Sequence, residues 1–131
     1  MTILLYLKLF IIALIVFFTI DLLWLSVFAK KIYDKELKPL LNEKVKWIPA
    51  IIFYILFLIG LIYFAIYPAV QNGNILTAII NGGLFGLISY ATHDLTNLAT
   101  LKNWPKKIAI IDLIWGTTLS IIVSLITFLL G

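Results

Sequence analysis

The chain has 131 residues, 63% of them hydrophobic and only 12% charged, with a mean hydropathy of +1.14. A soluble domain is about 45–50% apolar and about 25% charged, so this composition excludes a water-soluble globular fold and requires lipid as the main solvent. The net charge of +4 comes from ten lysines, with no arginine, no cysteine and one histidine. Disulfides, thiolate metal sites and cysteine nucleophiles are thereby excluded. The lysines gather between apolar runs, where charge sets topology and meets anionic lipid, and this argues against nucleic acid as a partner.

The first apolar run extends from about Ile3 to Ala29. It lacks a basic leader region and a small-x-small cleavage site, so a retained spanning helix is expected rather than a removed signal. Asp21 and Trp24 share one face of it, and Lys8 lies within snorkelling reach of an interface. The loop that follows holds Lys30, Lys31, Lys35, Lys38, Lys44 and Lys46. Within it Ile32, Tyr33, Leu37, Leu40, Leu41 and Val45 recur at roughly helical spacing, interrupted by Pro39, as in an interfacial amphipathic stretch.

The second run covers about Ile48–Val70 and ends at Gln71-Asn72-Gly73-Asn74, a turn without lysine. The third covers about Ile75–Leu101. It carries a Gly82/Gly86 close-packing step and two polar stripes, Tyr90/Asp94/Asn97 and Ser89/His93/Asn97. Lys102, Lys106 and Lys107 precede the fourth run, about Ile108–Leu130, where Asp112, Trp115 and Gly116 share a face and Ser120 and Ser124 continue a small-residue ridge. Each run exceeds the roughly 20 residues that cross about 30 Å of hydrocarbon, so the expected fold is an all-α, single-domain, four-span membrane bundle over residues 1–131.

Nine of the ten lysines lie in the first and third loops, which the positive-inside rule assigns to the cytoplasm. Both termini are then outside, and the expected location is a bacterial inner membrane. Thr19-Ile20-Asp21-Leu22 resembles Thr92-His93-Asp94-Leu95, and Trp47 with Pro49 echoes Trp104 with Pro105. Helices one and three run the same way, so a weak parallel repeat of two hairpins fits the pattern.

Three aspartates lie inside spans. At 1.5 Å per residue, Asp21, Asp94 and Asp112 sit about 13, 12 and 8 Å from Lys30, Lys102 and Lys107, a similar level in one half of the membrane. On insertion scales each costs about 2.5–3.5 kcal/mol at the bilayer centre, so the three are expected to converge with Tyr90, Asn97 and the indoles of Trp24 and Trp115 as donors. His93 and Asp94 point about 100° apart on a helix and would not chelate one ion together, so neither metal nor cofactor is expected. Trp47 and Trp104 read as interfacial anchors.

The stretch from Tyr90 through Thr92-His93-Asp94-Leu95-Thr96-Asn97 to Trp104-Pro105, followed by Asp112-Leu113-Ile114-Trp115-Gly116, resembles the bacterial membrane family known as domain of unknown function 2177. Asp21-Leu22-Leu23-Trp24 and Tyr67-Pro68-Ala69 fit as well. The resemblance implies a small four-span protein of unassigned activity. Tyrosine is common in that family where His93 stands here, which weakens any histidine-ligated metal. The residues favour a proton- or ion-coupled transport component, with a structural or assembly subunit of a membrane complex as the alternative. A lipid-modifying enzyme ranks third, because no Asp-rich diphosphate motif, serine triad or His-rich box is present. Expected partners are the lipid bilayer and either a second copy of the chain or another membrane protein.

Overall fold

The structure is a computed structural model that describes residues 2–24, 26 and 47–131. The described residues form four helices long and apolar enough to cross a membrane: α1 (Thr2–Leu23), α2 (Trp47–Asn72), α3 (Ile75–Thr100) and α4 (Lys106–Leu130). No strand occurs among the described residues. The whole lysine-rich first loop, residues 30–46, with its amphipathic stretch, lies outside them, as do residues 25 and 27–29 of the first expected span.

Local chemistry accounts for the boundaries. The turn between α2 and α3 is two residues long. Gly73 takes the left-handed conformation (φ 59°), which costs a residue without Cβ nothing, and its N–H closes on the carbonyls of Ala69 and Val70. Asn74 then caps α3, its side chain accepting the Leu76 N–H at 3.0 Å. At the other end of α3, Leu101 turns extended, and Pro105 leads into α4 with φ −70° and ψ 132°.

Helix α2 is interrupted near its middle. Residues Ile62–Ile66 form a π-helical turn in which the Tyr67 N–H reaches back five residues to the Ile62 carbonyl. Pro68 follows immediately. A proline inside a helix cannot donate to the carbonyl four residues earlier and its ring crowds that carbonyl, so a widened turn is the expected response.

The bundle is held mainly by the α3–α4 pair, with α1 against α4 and the bulged part of α2 against α3. Leu9, Ala13 and Phe17, one stripe on α1, are buried with Phe57, Leu58, Leu61 and Ile62 of α2 and Leu119 and Val123 of α4. Elsewhere large aliphatic side chains face outward, as with Ile3 (76% exposed) and Ile48 (73%). Apolar residues on the outer surface as well as the inner one are what a lipid solvent demands.

Candidate polar site

The α3–α4 seam is an antiparallel register of two ridges with a residue every fourth position. On α3 the ridge is Gly82, Gly86, Tyr90 and Asp94; on α4 it is Asp112, Gly116, Ser120 and Ser124. A Cβ added at Gly82 would meet the Ser124 hydroxyl at 2.5 Å, and one added at Gly86 would collide with Ser120. One added at Gly116 would enter the Tyr90 ring. These glycines let the two backbones approach where lipid offers little drive for association. The register has a chemical consequence. Continued by one step, it sets Asp94 opposite Asp112, and the Asp94 carboxyl does lie next to that of Asp112 and to the Trp104 indole.

Asp94 is fully buried, and the groups its carboxyl faces are the Asp112 carboxyl and the Trp104 indole N–H. The Trp104 Nε1, the indole donor beside Asp94, is likewise buried. Asn97 turns instead to the exposed His93, its amide nitrogen 3.3 Å from Nε2, and the imidazole meets Trp104 edge-on at 5.6 Å. The amide expected to serve Asp94 therefore serves the histidine. Position explains this: residues four apart stack along a helix face, whereas Asp94 turns into the seam.

Asp21 is treated differently. Its carboxyl accepts the Trp115 indole N–H at 3.3 Å, and the Trp115 ring stacks on Trp24 at 4.4 Å with planes 9° apart. This joins α1 to α4 by a hydrogen bond and an aromatic pair. Beside the two indoles lies an open apolar cleft of about 340 Å³, lined also by Ile20 and Leu23. Asp112 lies within electrostatic reach of both Asp21 and Asp94. Tyr90 is within reach of all three carboxyls, and Tyr54 of α2 is within reach of Asp21.

Two of these neighbours were not identified from the sequence. Trp104 reads there as an interfacial anchor, because the path of a five-residue connection carries no periodicity that would fold it back onto Asp94. Tyr54 lies in an unbroken apolar run with no polar companion to single it out. No group of three side chains able to hold a metal ion occurs among the described residues. Chemically, two adjacent carboxyls in apolar surroundings offer oxygens that can hold one proton or cation between them.

Residues 6–129 match the family described as predicted membrane protein, domain of unknown function 2177. No curated protein and no solved structure matches the chain.

Proposed function

We propose that this chain, which belongs to the membrane-protein family known as domain of unknown function 2177, is a component of proton- or ion-coupled transport. In this reading Asp94 and Asp112 hold and pass the coupled charge. One observation carries it: a fully buried carboxyl stands beside a second carboxyl inside the span, with the Trp104 indole as its neighbouring donor. Burying a carboxyl in apolar surroundings is costly, so its presence there calls for a reason beyond packing. Ionisable residues inside membranes commonly mark proton or ion paths. Asp21, Trp24, Tyr90 and Trp115 complete the proposed site, with Asn97 and His93 at its margin.

The lysine-bearing loops face the cytoplasm of a bacterial inner membrane in this proposal, so that the aspartates open toward that side. Four helices alone enclose little space, and a second copy completes the path. Reconstitution into liposomes with an internal pH dye tests the proposal. Dissipation of an imposed pH gradient should be several-fold faster than in empty vesicles, and equal rates would exclude proton coupling. Single cysteines test the orientation. An impermeant reagent applied to whole cells should label the Asn72→Cys variant and spare Lys102→Cys; the reverse pattern would invert the topology.

A structural or assembly subunit is the second reading, favoured by the Trp115–Asp21 hydrogen bond and the Trp24–Trp115 stack. These contacts are what a polar lock between α1 and α4 would use. Under this reading alone, Asp94→Asn and Asp112→Asn lower the melting temperature non-additively, because contacting residues couple.

A further inference from the structure

Pro68 offers no N–H to the Phe64 carbonyl, the group four residues before it, and the α2 ladder is already displaced there by the π-helical turn Ile62–Ile66. A carbonyl without a donor inside a lipid-facing helix is costly, since no water is at hand to replace the missing bond. The structure supplies the donor from another helix: the Asn81 side-chain amide of α3 reaches the Phe64 carbonyl at 3.1 Å. Asn81 stands seventeen residues after Phe64, across the Gly73-Asn74 turn. The short α2 segment beyond the break, Tyr67–Asn72, is further tied to α1 by Tyr67, which stacks on Tyr6 at 4.5 Å.

We propose that residues 62–68 of α2 form a built-in hinge and that Asn81 is its clamp, its amide replacing the backbone N–H that Pro68 lacks. Both halves of the device are needed. Proline and the π turn remove the continuous ladder that would make α2 a rigid rod, and the asparagine restores one bond from outside the helix. Bending at 62–68 then requires the Asn81 bond to open, so α2 moves with α3 while the clamp is closed. This inference concerns the half of the bundle away from the aspartates and stands whether or not protons are carried.

A double-variant cycle on the full chain in detergent tests it, read by thermal melting and by amide exchange over residues 64–72. Asn81→Leu removes the donor, and the melting temperature should fall by roughly 3–8 °C, with exchange at 64–72 about tenfold faster. Pro68→Ala restores a backbone N–H, so adding Asn81→Leu to that variant should cost less than half as much. The same drop in both backgrounds, or no change in exchange at 64–72 in Asn81→Leu, would overturn the proposal. If Asn81→Leu alone does not fold, the double variant decides: recovery of folded protein supports the clamp, and failure to recover overturns it.

Discussion

Asn81 and Asp94 are both polar residues on α3, and they meet opposite circumstances. The Asn81 amide finds a carbonyl that a proline has left without its usual donor, and the two needs cancel. The Asp94 carboxyl is carried by the glycine register into a fully buried position opposite another acid, with the Trp104 indole beside it. A polar residue inside a span that is matched by a partner can be explained by folding alone. A buried carboxyl set beside a like group is harder to account for by folding, because the two acids repel when both are charged.

The largest expected effect comes from disturbing the register on which Asp94 depends. Gly86→Leu should abolish recovery of folded protein, because Ser120 already occupies the space a side chain would need. Gly86→Ala should already be strongly destabilising, because its Cβ alone would meet the Gly116 backbone carbonyl at 2.5 Å as well as Ser120. Melting curves of the extracted variants check both, and a Gly86→Leu variant as stable as the native chain would remove the basis for placing Asp94 against Asp112.

A smaller effect sharpens the comparison within the aspartates themselves. Asp21→Leu leaves the Trp115 N–H without its acceptor and should cost about 1–3 kcal/mol. Asp94→Asn removes the like-charge repulsion and adds an amide donor beside Asp112, so the melting temperature should hold or rise. Chemical or thermal denaturation of the two variants side by side tests this. If Asp94→Asn proved the more damaging, the carboxyl would be a structural element after all.

His93→Tyr should have the smallest effect, within about 0.5 kcal/mol, because the imidazole is exposed and its partners among the described residues are Asn97 and the edge of Trp104. Metal analysis of the purified native protein and this variant should show no stoichiometric ion in either. A bound ion lost with the substitution would give the histidine a role denied to it here.

The four spans were legible because lipid imposes length: a run of apolar residues must either cross the bilayer or be buried in some other way. The ridge of Gly82 and Gly86 and the ridge of Gly116, Ser120 and Ser124 were legible too, each at a spacing of four. What could be read further, once both ridges are set antiparallel, is that the same spacing carries Asp94 to Asp112. The interruption of α2 was harder to foresee. Pro68 is visible in the sequence, but that the lost bond would be met by Asn81 depends on how closely the two-residue turn folds α3 against α2. Trp104 was missed for a related reason, since a connection between helices has no period from which to project a side chain. Asn97 was expected to serve Asp94 and turns to His93, a preference set by the neighbour available at four residues' distance.

In the proposed function Asp94 and Asp112 hold a proton between them. Infrared difference spectra between acid and alkaline buffer, recorded on the purified protein in lipid, test it most directly. The account predicts a protonated-carboxyl C=O band that changes reversibly between pH 5 and 9 in the native chain and is lost or displaced in Asp94→Asn. A native protein with no carboxyl band responding to pH, or the same band unaltered in Asp94→Asn, would contradict it.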